Sequence, residues 1–210
     1  MKAIILLGFL IFLFFGFEAN STENQSVNES FTRYVQSILN DNGDAAYSLV
    51  DKNTRDYYDR LSVLSRTAAK ENIEKLGIID KMQVFIMRHK IPHEQLSKMS
   101  GKELFIYSVN NGLVGKNSVL GLNIGDITIN DKFAKAEVIV NGQKTPLNYH
   151  FYNENNNWKL DITEMTKWGE AAMLQQLQQS GMQEDEFIFY LLQLVSGTKV
   201  DESTIWKPVN

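Results

Sequence analysis

Residues 122–163 read LNIGDITINDKFAKAEVIVNGQKTPLNYHFYNENNNWKLDIT, and this stretch decides the fold. Four segments, Leu122–Asn130, Phe133–Asn141, Thr145–Asn153 and Trp158–Thr163, are rich in Ile, Val, Tyr and Phe, side chains that suit a pleated, half-buried surface. Between them stand Asn130-Asp131, Asn141-Gly142 and the run from Asn153 to Asn157, residues that accept the positive φ of tight hairpin turns. Within the segments Leu147, Tyr149 and Phe151 share one face, as do Trp158, Leu160 and Ile162, because side chains alternate along a strand. Parallel strands would need crossovers of a dozen or more residues. The short connections therefore predict a four-stranded antiparallel meander, whose apolar face must be covered by other parts of the chain.

Upstream, the apolar period changes from two to 3.6. Ser26 and Glu29 form the S-x-x-E pattern of a capping box, and Phe31, Tyr34, Val35, Ile38 and Leu39 follow on one helical face. Asn42-Gly43 ends that helix, and Asp44 is placed to cap a short apolar turn through Val50. The pattern then predicts a long helix from Asn53 to Leu76, with Tyr57, Leu61, Leu64 and Ala68 as its buried seam and Gly77 just past its end. A denser apolar helix from Asp80 to Lys90 stops at Ile91-Pro92. Ser100 and Glu103 repeat the capping box ahead of Leu104–Val109, and Gly112 closes that element.

Downstream of the sheet, Trp168, Ala171, Leu174 and Leu177 mark a helix that ends at Gly181. Glu184, Asp185 and Glu186 place negative charge at the start of a second helix, where the helix dipole favours it. The body of that helix, Phe187 to Val195, is apolar nearly all round, so it is buried in the domain or against a partner. The expected fold class is α+β: N-terminal helices packed on a curved antiparallel sheet, with two additional C-terminal helices over residues 164–196.

This order of helices, antiparallel meander and closing strand resembles the NTF2-like (cystatin-like, ketosteroid-isomerase-like) superfamily. Ala134-Lys135-Ala136-Glu137-Val138 is similar to its A-x-V strand, and Asn157-Trp158-Lys159-Leu160-Asp161-Ile162 to its closing strand. The resemblance implies a cone-shaped pocket between sheet and helices and dimerisation through the sheet. It implies no particular activity, since one fold hosts many functions. Periplasmic phospholipid carriers of the MlaC type also surround such a sheet with helices after a signal peptide, an analogy of architecture with no shared motif.

The first residues read as an address. Lys2 gives a positive start, and Ala3 to Phe17 is an uninterrupted apolar run that spans roughly 22 Å as a helix, short of the roughly 30 Å hydrocarbon core. That length suits a secretory signal over residues 1–19, followed by a polar linker over 20–28 and one domain over 29–210. Ala19 suits the last position before cleavage, whereas Phe17 is large for a signal peptidase pocket, so an uncleaved leader that holds the domain near a membrane stays open. The 210 residues contain no cysteine, which excludes disulfides, thiolate metal sites, a cysteine nucleophile and a lipid-anchored cysteine. An exported domain without disulfides points to a bacterial periplasm or exterior. The net charge of −4 gives no basic balance for nucleic acid.

Three groups of residues are candidates for chemistry. His150 with Glu137 and Asp161 on neighbouring strands would suit general acid–base work, if register brings a carboxylate to the ring. Tyr149, Phe151, Trp158, Leu160 and Ile162 are core if packed solid, and the walls of an apolar ligand site if the space beneath them is open. Phe187, Phe189, Tyr190 and Leu191 cannot all face one core, and so offer a surface to a partner. On that reading, deleting residues 183–210 leaves the sheet folded and abolishes association. His89, His93 and Glu94 have spacing that metal sites use, but Pro92 between the histidines ends the helix. No cofactor or metal is expected. The reading that follows is an exported, non-enzymatic module that binds a partner protein or an apolar small molecule. The alternatives are a periplasmic lipid carrier and a small isomerase or lyase based on His150.

Overall fold

The computed structural model describes residues 15–209, with side chains from Thr22 onward. Among these residues the order is α1 (Phe15–Leu39), α2 (Gly43–Leu49), α3 (Lys52–Thr67), α4 (Lys70–Ile73), α5 (Ile78–Lys90), α6 (His93–Leu96), α7 (Gly101–Asn110), β1 (Leu122–Asn130), β2 (Phe133–Val140), β3 (Gln143–Glu154), β4 (Asn157–Asp161), α8 (Thr163–Ser180) and α9 (Glu184–Ser196). The class is α+β. The strands form one curved, unclosed antiparallel sheet in the order β1-β2-β3-β4. No described helix is long and apolar enough to cross a membrane.

Turn chemistry sets the register of the meander. Val140 pairs with Gln143 across Asn141 (φ 50°) and Gly142 (φ 80°), and Glu154 pairs with Asn157 across Asn155 (φ 52°) and Asn156 (φ 61°). Two successive positive-φ residues give the turn whose twist matches that of the flanking strands. With the register fixed, Ala134, Ala136, Val138, Tyr149, Phe151, Trp158 and Leu160 line the inner face and are buried. Helix α1 crosses this face: Val27, Phe31, Tyr34 and Ile38 form its buried stripe, and the Phe31 and Tyr149 rings stand 5.2 Å apart. Burial pushes the Tyr149 hydroxyl up to about 12.

The helical side differs from the sequence reading at several points. The leader expected at residues 1–19 lies, up to residue 14, outside the described residues. Residues 20–28 are helix and not linker. No glycine or proline stands between Phe17 and Asn42, and Val27 carries the apolar stripe one turn further toward the N-terminus. Ser26 therefore lies inside the helix, where its hydroxyl donates to Thr22 O at 3.0 Å and caps nothing. Ahead of α2 the cap is Asn42, which accepts from Ala45 N–H at 3.1 Å, and Asp44 falls in the first turn. Ile162 leaves the strand and becomes the residue before α8. The Ser100–Glu103 capping box forms as expected.

The long helix expected from Asn53 to Leu76 breaks at Ala68-Ala69. Alanine favours helix continuation, so propensity does not end α3; Arg88 does. Its guanidinium, on α5 and 3% exposed, donates to Ser65 O at 2.9 Å, Leu64 O at 3.3 Å and Ala68 O at 2.6 Å. It thereby satisfies Ser65 O and Ala68 O, which the end of α3 leaves without helical partners, and shares Leu64 O with the Ala68 N–H. A fourth bond, to Ile205 O at 3.0 Å, ties in the C-terminal segment. Burial lowers the Arg88 guanidinium to about 10, still protonated at neutral pH. Gly77 does not close a helix but precedes α5, with φ −63°. The Glu170 carboxylate accepts the free N–H groups of Ile78 and Ile79 at 3.0 Å each.

The open edge of β4 is sealed by the residues that lead into α3. Asp51 N–H donates to Leu160 O at 3.0 Å, and the Asp51 side chain, 1% exposed, accepts from Thr54 N–H at 2.9 Å and Asn53 N–H at 3.1 Å. Burial raises the Asp51 carboxyl above its usual range, against these two donors, and the charge of Asp161 adds to the rise. A carboxyl raised in the folded state stabilises fully below its unfolded value, and that stabilisation is lost as pH climbs through the folded value. At neutral pH the Asp51 charge is thus a net cost, whereas its cap is a gain. Asp51→Ala is expected to cost about 1–2 kcal/mol through the lost cap. Asp51→Asn keeps an acceptor and loses the charge, so its midpoint at pH 7 should equal or exceed that of the unmodified chain. Thermal unfolding between pH 3 and pH 7 checks both, with the Asn advantage shrinking as pH falls.

Candidate functional site

The sequence-derived candidates scatter. Tyr149, Phe151, Trp158 and Leu160 are 0–7% exposed and belong to the core, packed beneath α1. His150 faces the other side of the sheet, with its ring edge-on to Phe133 at 5.1 Å. Asp161 is its cross-strand neighbour, but that carboxylate accepts from Asn53 Nδ2 at 3.0 Å and from the Thr163 N–H and hydroxyl at 2.8 and 2.7 Å. Glu137 lies diagonal to His150 and pairs with Lys144 at 2.6 Å beside the irregularity in β1. Among the described residues no hydrogen bond joins His150 to either carboxylate, so an acid–base pair is not assembled.

The C-terminal helix divides between core and surface. Phe187 and Phe189, expected on a partner surface, are core. Phe189 stands 5.4 Å from the Phe85 ring, and Trp206 closes on Phe85 at 4.8 Å. A helix that is apolar all round finds partners on several sides here, from α5 and from the segment after α9. Tyr190 stays 47% exposed, and Leu191 is half-buried. Near the start of α9, Glu184 and Asp185 hold the nearly buried Lys81 ammonium at 2.5 and 3.1 Å. Burial alone would lower the Lys81 ammonium; the hydrogen bonds it donates to both carboxylates outweigh this and hold the group above its usual value.

An enclosed apolar concavity lies where sequence reasoning did not place one, between α5 and α9. It measures about 290 Å³. Met82 and Ile86 form one wall, Leu191, Leu192 and Val195 the other, and Leu113 closes an end. Gly112, at φ 67°, turns the chain after α7 and brings Leu113 to that position. Leu194 and Val195 at the margin are 63% and 84% exposed. Lys90 and Ser196, the last residues of α5 and α9, stand at the polar end.

His89 adds to that end. Its Nε2 lies 3.2 Å from Ser196 Oγ and 2.9 Å from Thr198 Oγ1. Burial, with the charge of Lys90, holds its imidazole below the usual value, so the ring is neutral at neutral pH. A neutral His beside a Ser hydroxyl is the start of a nucleophilic pair. No carboxylate among the described residues orients this ring, and the Thr198 hydroxyl is nearer to it than Ser196. His93 and Glu94 sit on α6 beyond Pro92 and join no cluster with His89. Among the described residues no three His, Asp or Glu side chains come together to hold a metal.

Fold and site together define an α+β domain with one sheet face buried under helices and an apolar, polar-ended cleft between two of those helices. Comparisons of the chain with protein-family models, curated proteins and solved structures give no match.

Proposed function

We propose that the chain is an exported, non-catalytic binding domain that takes the apolar part of a small ligand into the α5–α9 cleft. The observation that carries this reading is a cleft of about 290 Å³ walled by Met82, Ile86, Leu191, Leu192 and Val195, with Lys90, Ser196 and Asn111 as the polar side chains of its lining. Water in such a space lacks hydrogen-bond partners along the apolar walls, so an apolar group displaces it favourably. The volume lies at the lower end for small-molecule sites, about 300–1,000 Å³, and suits one alkyl chain better than a two-chain phospholipid. That favours a small-ligand binder over a carrier of whole phospholipids. An isomerase or lyase based on His150 is less favoured, because Asp161 and Glu137 are committed to other partners.

Export rests on Lys2 and the apolar run from Ala3 to Phe17. The NTF2-like resemblance belongs to the same reading and is supported by the helix–meander order and the closing strand around Trp158. Its pocket, between sheet and helices, coincides with side chains that pack here as core.

Calorimetry with straight-chain alcohols from hexanol to decanol tests the proposal. Each added methylene contributes about 0.8 kcal/mol, so affinity should rise roughly fourfold per carbon until the cleft is full. Ile86→Trp, which fills the cleft from one wall, should abolish binding while the thermal midpoint stays near its original value. Val195→Asp should weaken binding without destabilising, since Val195 is already exposed. Equal binding by the unmodified chain and Ile86→Trp would place the ligand elsewhere.

A further inference from the structure

The polar end of the cleft bears on what enters it. Lys90 is the one charged side chain that lines the cleft, and no carboxylate lines it. Among the described residues Lys90 forms no ion pair, and of the lysines without one it alone lines this cleft. An unneutralised ammonium at the mouth of an apolar cleft is complementary to a negative group attached to an apolar one. Ser196 also lines the cleft, and its hydroxyl stands 3.1 Å from that of Thr198, just outside the lining, with which it shares the His89 ring nitrogen. Ser196 now donates to Thr198 O at 3.0 Å, within its own turn. A hydroxyl rotates freely about its C–O bond, so it can redirect this bond to an incoming oxygen.

We infer that the cleft takes a single-chain carboxylate of the fatty-acid type, with its tail between α5 and α9 and its head at Lys90 and the Ser196–Thr198 hydroxyls. The inference rests on the binding reading above and adds the head group to it. One cation and two hydroxyls match a monoanion with two oxygens. A phosphate monoester carries about −1.5 to −2 at neutral pH and would need a second cation, which the cleft lining does not supply.

One effect opposes the anion. Helices α5 and α9 both end here, and each C-terminus presents about half a negative charge. That charge is spread over the last turn and falls off within it, and the capping N–H groups of Ile91 and Gly197 take up the Met87 and Gln193 carbonyls. Lys90 carries a full charge on a flexible stem that can move away from the helix end. The cation prevails, and the preference for an anion is modest.

Titration calorimetry on the full chain at pH 7.5, with octanoate and octanol as probes, tests this. The unmodified protein should bind octanoate about tenfold more tightly than octanol. Lys90→Met keeps the apolar stem and should bring octanoate to within about twofold of octanol. Octanoate binding no tighter than octanol to the unmodified protein, or a tenfold preference that survives Lys90→Met, would overturn the head-group assignment while leaving the cleft as an apolar site. Binding of neither probe would overturn the binding reading itself. Lys90 is exposed at a helix end, so the variant keeps the fold, and an unchanged thermal midpoint verifies this.

Discussion

Arg88→Ala is expected to lower the stability of the domain by on the order of 4 kcal/mol, the largest effect of any single substitution considered. The reason is the number of groups left behind. Four carbonyls, Leu64 O, Ser65 O, Ala68 O and Ile205 O, now accept from one guanidinium that is itself 3% exposed, and all but Leu64 O, which also accepts from the Ala68 N–H, lose their donor with it. Hydrogen bonds to a charged group contribute about 1.5–3 kcal/mol each, and an acceptor left buried without a partner costs about 1–3 kcal/mol. Four such bonds are not additive, and water entering the vacated space recovers part of the loss, which brings the sum down to the stated value. For a domain of this size about 4 kcal/mol corresponds to a drop of roughly 8–16 °C in midpoint. Arg88→Lys should lose more than half as much, because a point-like ammonium cannot reach carbonyls spread around a planar fork. Urea titration of the three proteins measures this. A loss below about 1 kcal/mol for Arg88→Ala would mean that the end of α3 is solvated and does not depend on α5.

The second large effect concerns the C-terminal segment, which the sequence presents as a detachable partner surface. Removal of residues 183–210 is expected to abolish cooperative folding and not merely association. The deletion takes away Phe189 and Trp206, which close on Phe85, a ring with no exposed surface. It strips both carboxylates from Lys81, whose side chain is 5% exposed, and an ammonium left buried and unpaired costs about 3–5 kcal/mol. It also removes the Ile205 carbonyl from Arg88 and the Val209 N–H from Arg66 O. These losses converge on α5, which packs against α3, α8 and α9, and together they reach the range of about 5–15 kcal/mol by which whole domains are stable. Circular dichroism and hydrogen exchange of the truncated chain should show a collapsed species without a cooperative transition. Retention of a sharp transition would return α9 to the surface role.

What the sequence made legible follows the range of the interactions involved. The meander could be read because its signals are local: alternation within nine or so residues, and Asn-Gly or Asn-Asn where the backbone must take positive φ. Two identical S-x-x-E patterns had opposite fates. Ser100 caps α7, since the preceding chain is not helical, whereas Ser26 follows residues that continue as helix. The break at Ala68-Ala69 was invisible because its cause, Arg88, lies twenty residues away and acts only after α5 packs on α3. The cleft was harder still. Its walls come from positions 82–90, 111–113 and 191–196, and no window of sequence contains more than one of them. A signal was present in α5, where Met82, Ile86 and Lys90 recur every fourth residue beside the more buried set of Ile78, Lys81, Val84, Phe85 and Arg88. Two apolar faces on one helix mean two things to touch.

The account turns on where an apolar ligand sits: between α5 and α9, and not beneath the sheet. A crystal of the full chain grown with ω-bromo-octanoate measures this directly through the anomalous signal of bromine. The predicted peak lies between Ile86 and Leu192, with the carboxylate toward Lys90. A peak beside Tyr149 and Trp158, under the inner face of the sheet, would contradict it.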